Sequence, residues 1–203
     1  MTARYLLVLA GLALSFICAR EIFGTDEIPH APGVLAPAAP RQTLMANGQT
    51  WEHRGYRFTP LAAYEITARV LGKEAYHFGR ESELSPFDFA LGWGPMSDQA
   101  VIERLEISQS GRWYYWQAQT LPVPKKTLIT SSANTHLVPA TQEIEQLLEV
   151  VREGEVVTLR GKLVAIAGHD GWQWRSSLSR SDTGQGACEV FWVEAVELMQ
   201  TEF

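Results

Sequence analysis

Side chains that could bind a ligand or carry out chemistry are concentrated in one polar segment near the C-terminal end of the chain. Residues 175–189 (RSSLSRSDTGQGACE) contain two arginines, four serines, an aspartate, two glycines and a cysteine. A connection that only joins two neighbouring strands needs roughly two to five residues. Irregular polar loops on a rigid scaffold commonly carry binding sites, so the length and composition of this segment favour a functional loop.

The first interpretation of this loop is a binding site. Arg175 and Arg180 could each hold a carboxylate or a phosphate through two parallel hydrogen bonds. Ser177 and Asp182 add polar groups, and Trp174 just before the loop offers a flat ring as a platform. These residues predict a site for a small anionic or glycan ligand.

A second interpretation is structural. The same Arg175, Arg180 and Asp182 could join Glu189 in an ion-pair network that only orders the loop, with Cys188 as a small buried residue.

A third interpretation is catalytic. Cys188 would be the nucleophile, His136 its base, and Asp182 or Asn134 would orient the imidazole. This arrangement predicts a Cys-dependent hydrolase or transferase of the cell wall.

Residues 184–188 (GQGAC) resemble the segment around the catalytic cysteine of peptidoglycan transpeptidases, in which the cysteine follows a glycine. The chain departs from that pattern at Glu189, where a basic neighbourhood is expected. A carboxylate beside a thiol raises its pKa and makes it a weaker nucleophile.

Metal, cofactor and nucleic-acid binding have little support in the sequence. The five histidines are scattered, and neither a Cys-x-x-Cys nor a His-x-x-x-His spacing occurs. A Gly-rich phosphate loop is also absent. The formal net charge is −6, and the densest basic run is Lys125-Lys126, whereas phosphate-backbone binding needs clustered Lys and Arg. We therefore expect no metal, no cofactor and no nucleic-acid partner.

The N-terminus has the layout of an export signal. One arginine precedes an uncharged apolar run over residues 5–18, and a small residue follows at Ala19. We predict a signal peptide over residues 1–24, with an uncleaved inner-membrane anchor over residues 5–23 as the alternative. Either reading places the rest of the chain in the periplasm or outside the cytoplasm, touching the membrane only through this segment.

A linker and one domain follow. Residues 25–50 are rich in Pro and Ala up to Gln42, which predicts an extended stalk without a packed core. The folded domain is then expected over residues 51–203. The chain contains 7 Trp among 46% hydrophobic and 20% charged residues, a composition typical of a globular protein with a Trp-rich β core.

The domain is expected to be mainly β with one or two short helices, in the α+β class. Alternation of apolar and polar residues predicts a strand at residues 64–70. Aromatic, β-branched and other strand-like residues predict further strands near residues 112–119, 126–132, 155–166 and 189–196. Asp170-Gly171 predicts a hairpin turn, and Gly161 inside a strand predicts a bend.

Two helices are predicted. Ser97 could cap a brief one, with Asp98 in its first turn and Met96 packing on Val101. The second has Ile144, Leu147, Leu148 and Val151 on one face.

Strands, one helix and further strands follow the order of a small OB-like barrel after an N-terminal apolar helix. The segment after the second helix (GEVVTLRGKLV) resembles the fourth strand of that fold. Residues 90–98, 131–136 and 174–180 resemble segments of uncharacterised bacterial exported proteins, a likeness that implies no activity. We therefore expect an envelope protein with a non-enzymatic domain that binds an envelope protein or a small anionic or glycan ligand, with the Cys188–His136 enzyme as the alternative.

Overall fold

The computed structural model describes residues 28–179, Asp182 and residues 187–199. Strands dominate, which confirms a mainly β domain of the α+β class. The strands are β1 (Arg41–Leu44), β2 (Trp51–His53), β3 (Tyr56–Ala75), β4 (Phe87–Gly92), β5 (Glu106–Ser110), β6 (Trp113–Gln117), β7 (Ser132–Pro139), β8 (Val156–Gly168), β9 (Gln173–Arg175) and β10 (Glu189–Leu198). The helices are α1 (Arg80–Leu84), α2 (Gln99–Ile102), α3 (Lys125–Thr130) and α4 (Gln142–Val150), with a 3₁₀ turn at Gly94–Ser97.

Five of the strands form a closed circuit. β3 pairs with β4, β4 with β7, β7 with β10, β10 with β8, and β8 again with β3. All of these pairings are antiparallel except that of β7 with β10, which is parallel. β1 and β2 extend the sheet beside β3, β9 extends it beside β8, and β5 with β6 forms a separate hairpin.

β3 is long enough, at 20 residues, to serve two neighbours around the barrel. Its pairing shifts register between Pro60 and Ala62 with β8, and between Val70 and Gly72 with β4, and such irregularities increase local bending and twist. At Gly161 of β8, a Cβ would lie 2.0 Å from the carbonyl oxygen of Trp192. Only glycine allows this close approach of the two backbones.

Helix α4 closes one end of the barrel. Leu148 and Val151 are buried with the interior residues of β3 and β8, and Ile144 packs against them. Thr141 accepts a hydrogen bond from the backbone N–H of Ile144 and caps the helix. Lys73 Nζ donates to the carbonyls of Leu148, Glu149 and Val151 at its C-terminal end. The predicted second helix is confirmed, although Leu147 is 41% exposed.

The predicted short helix near Ser97 is also present as α2, but its cap differs. The Asp98 carboxylate accepts from the backbone N–H of Ala100. Ser97 Oγ instead accepts from the backbone N–H groups of Leu35 and Ala36.

The prediction of a strand over residues 126–132 is wrong for its first part. Lys125–Thr130 is helix α3, and β7 begins only at Ser132. Leu128 is fully buried between the barrel and the rest of the insertion that joins β4 to β7. Burial of Leu128 therefore outweighs the β propensity of Thr127, Ile129 and Thr130.

The described part of the predicted linker lies on the domain. Ala36 is 1% exposed, the backbone N–H of Ile28 donates to the carbonyl of Glu153, and β1 pairs with β3. The ordered sheet therefore begins before residue 51. The predicted signal peptide and N-terminal apolar helix lie outside the described residues. Within the described part of the chain, no helix has the length and apolar character needed to cross a membrane.

Candidate ligand-binding site

Polar side chains occupy the outer face of β4 and β7. Asp88 lies opposite His136 in the register of the two strands, and Ala90 lies opposite Asn134. The neighbouring Phe87 and Phe89 belong to the barrel interior, because successive side chains of a strand point to opposite faces. Asp88 is fully buried, while His136 and Asn134 are 5% and 6% exposed. A buried charge on an otherwise apolar strand requires partners.

Arg112 supplies the principal partner of Asp88. Its Nη1 lies 2.7 Å from Asp88 Oδ1, and its Nη2 donates to the carbonyl of Ser85 at 2.9 Å. The guanidinium also lies 3.9 Å from the centre of the Tyr76 ring. Arg112 stands at the tip of the β5–β6 hairpin with a φ of 72°, and Gly111 beside it has a φ of 59°. Two positive φ values match the tight turns that fit twisted hairpins, and the turn presents Arg112 to the barrel.

His136 and Asn134 extend this network. Nδ1 of His136 lies 2.9 Å from Asp88 Oδ2. The Trp174 ring lies 5.0 Å from the imidazole, centre to centre. Asn134 Nδ2 donates to the carbonyl of Arg112 at 3.1 Å, and its Oδ1 accepts from Gln109 Nε2 at 2.8 Å. These contacts fix the β5–β6 hairpin to both β4 and β7 of the barrel.

Cys188 lies at the edge of this network. Its Sγ is 4.0 Å from the carbonyl oxygen of Arg112. Burial, followed by the nearby Glu189 carboxylate, raises the pKa of the thiol to about 12. The thiol is therefore protonated near neutral pH and is a poor nucleophile.

Two cavities open side by side above these strands and share Trp113 and Cys188 in their walls. The first has a volume of about 160 Å³ and carries several aromatic rings. The second has a volume of about 340 Å³ and is lined by Arg112, Trp113, His136, Gln173, Trp174, Arg175 and Cys188. Small-molecule sites combine apolar walls with a few placed polar groups, as these cavities do.

The structure brings most of the sequence-predicted site residues to these cavities. Trp174, Arg175, His136 and Cys188 line the second, and Asp182 lines the first. Their convergence follows from the β8–β9 hairpin at the predicted Asp170-Gly171 turn and from the entry of the chain into β10.

Ser177 has a structural position in the loop. It is 8% exposed, its Oγ donates to Asp182 Oδ2 at 2.5 Å, and its backbone N–H donates to the carbonyl of Cys188. Arg175 is exposed and forms no ion pair with another described residue. Asp182 is thus held by a serine, and Arg175 takes no part in holding it. Arg180, the other predicted arginine, lies outside the described residues.

Sequence reasoning missed Asp88 and Arg112. One signal was present, because Asp88 is the single charge in the apolar run FDFALG at residues 87–92. Such a residue predicts a buried polar contact, but its partner is 24 positions away and is set by the hairpin.

Within the described part of the chain, no three His, Cys, Asp or Glu side chains are grouped closely enough to hold a metal ion. No known protein-family model matches the chain, and no significant similarity to a curated protein or to a solved structure was found.

Proposed function

We propose that this chain is a non-enzymatic binding module of the cell envelope whose ligand lies over the outer faces of β4 and β7. The two adjoining cavities carry this proposal, because they join the predicted loop at residues 175–189, the aromatic hairpin and a buried polar network in one place. Rigid strands below and loops above are the usual construction of a binding site.

We further propose that the barrel is of the OB type. Its five strands, numbered first to fifth along the chain, are β3, β4, β7, β8 and β10. Around the barrel they are arranged in the order first, second, third, fifth and fourth. Helix α4 lies between the third and the fourth. OB-folds bind ligands on the face of the second and third strands, flanked by the loop between the fourth and fifth. In this chain the corresponding ligand face is the outer face of β4 and β7, and the corresponding loop is at residues 175–189.

The ligand class that fits the second cavity is a small anionic or glycan molecule. Arg175 is exposed at this cavity, where its guanidinium could hold a carboxylate or phosphate. Trp113 and Trp174 supply rings for packing against a sugar face. Export of the module rests on the N-terminal apolar run alone, and an envelope protein bound at the same surface is the other partner class.

The Cys-dependent cell-wall hydrolase or transferase is the second candidate, since His136 and Cys188 line one cavity. The raised pKa of the thiol counts against it. Replacing Cys188 discriminates between the two. The enzyme requires that Cys188→Ala fails to complement a deletion of the gene, so full complementation by this variant would exclude the enzyme.

The site itself is tested by complementation with Arg175→Ala and Trp113→Leu. We expect loss of function for both, with little loss of stability because Arg175 is exposed and Trp113 lies outside the core clusters. Arg57→Ala is the matched control, since Arg57 is an exposed strand arginine whose Nε lies 3.5 Å from Glu52. Full complementation by both site variants would contradict the proposed function.

A further inference from the structure

Four aromatic residues contribute to the wall of the first cavity. Trp93, Trp113, Tyr114 and Trp116 all line it. Trp93 comes from the end of β4, and the other three come from β6. The face of an aromatic ring is negative and attracts a cation, most strongly for Trp.

Carboxylates complete the wall of this cavity. Asp182 and Glu189 line it, and none of its described lining residues is Lys, Arg or His. Burial raises the pKa of Cys188, in the same wall, and the nearby carboxylates of Glu189, Asp88 and Asp182 raise it further. The described wall therefore combines aromatic rings with the carboxylate of Asp182, which can attract a cation.

We propose that this cavity binds the ammonium group of a small ligand, either a quaternary ammonium or a protonated primary amine. This inference rests on the proposed function and names the ligand chemistry of the same site. A volume of about 160 Å³ suits a head group and excludes a polymer. The rest of the ligand would pass Trp113 into the second cavity, where Arg175 can pair with an anionic group.

The purified full chain is titrated with choline, with ethanolamine and with 3,3-dimethylbutan-1-ol, the neutral isostere of choline. Tryptophan fluorescence reports binding, because three tryptophans line the first cavity. We expect at least one amine to bind about tenfold more tightly than the neutral isostere. Preference for choline or for ethanolamine then distinguishes a quaternary from a primary ammonium ligand.

Three variants locate the site. Trp113→Leu should weaken amine binding about tenfold. Asp182→Asn should weaken it about fivefold, although it keeps an oxygen that accepts from Ser177. Tyr115→Leu is the control, because this ring is on the same strand, is 51% exposed and lies outside the cavity wall. Its affinity should equal that of the wild type.

Equal affinity for choline and its neutral isostere would overturn the inference, as would amine binding that neither site variant changes. Failure of both amines to bind would also overturn it. If Trp113→Leu still fails to complement in that case, the proposed function stands and only the ammonium chemistry is wrong. Full complementation by both Trp113→Leu and Arg175→Ala would contradict the proposed function itself.

Discussion

The Asp88–Arg112 pair is the clearest place to test the structure by mutation. Replacing Arg112 by Met keeps much of the side-chain volume and leaves the Asp88 carboxylate, which is fully buried, without its guanidinium. Removal of one partner of a buried pair costs about 3–5 kcal/mol, because the other charge stays in a medium of low dielectric constant. A domain of this size is stabilised by only about 5–15 kcal/mol, so the loss should be large.

The measurement is urea denaturation followed by far-ultraviolet circular dichroism. We expect Arg112→Met to lower the free energy of unfolding by about 3–5 kcal/mol. The double variant Asp88→Leu with Arg112→Met should recover most of this loss, since replacing a whole buried pair by apolar groups is often neutral. Arg57→Met is the matched control, because its contact with Glu52 is exposed, and it should cost under about 1 kcal/mol.

A cost for Arg112→Met no larger than that of Arg57→Met would refute the reasoning. It would mean that the hairpin tip is detached from β4 in solution and that the carboxylate is hydrated. A double variant as unstable as the single one would show that the loss comes from the hairpin packing and not from the unpaired charge.

Three further outcomes are expected. Leu148→Asp should destabilise the domain by several kcal/mol, because Leu148 is 0% exposed in the interior cluster; an unchanged thermal midpoint would contradict the position of α4. Cys188, with a pKa raised to about 12, should react slowly with a thiol reagent at neutral pH and much faster after denaturation; fast labelling of the native protein would revive the catalytic interpretation. The Arg80 guanidinium lowers the pKa of Asp170 to about 2, so the stability from this pair is present above the ordinary aspartate range and is lost as the pH falls through about 2. Titration by nuclear magnetic resonance should show this low pKa in the wild type and an ordinary one in Arg80→Met.

Local patterns in the sequence were sufficient for several elements. Ile144, Leu148 and Val151 lie on one helical face, so burial of that face predicts α4 without knowledge of the rest of the chain. The Asp170-Gly171 step predicts the β8–β9 hairpin because its turn geometry depends on adjacent residues alone. Residues 126–130 show the limit of this approach. Their β-branched side chains favour a strand, yet burial of Leu128 against the barrel and the rest of the insertion selects a helix.

The candidate site, too, was only partly predictable from local sequence. Composition and length identified the loop at residues 175–189, which begins at Arg175 and directly follows Trp174. The contacts of Asp88 with Arg112 and with His136 span 24 and 48 positions of sequence and depend on strand register. Register is set by the whole barrel and by the turn at Gly111–Arg112, and a shift of one residue would move each side chain to the opposite face. The residue types were therefore readable from the sequence, but only tertiary structure decides which of them meet.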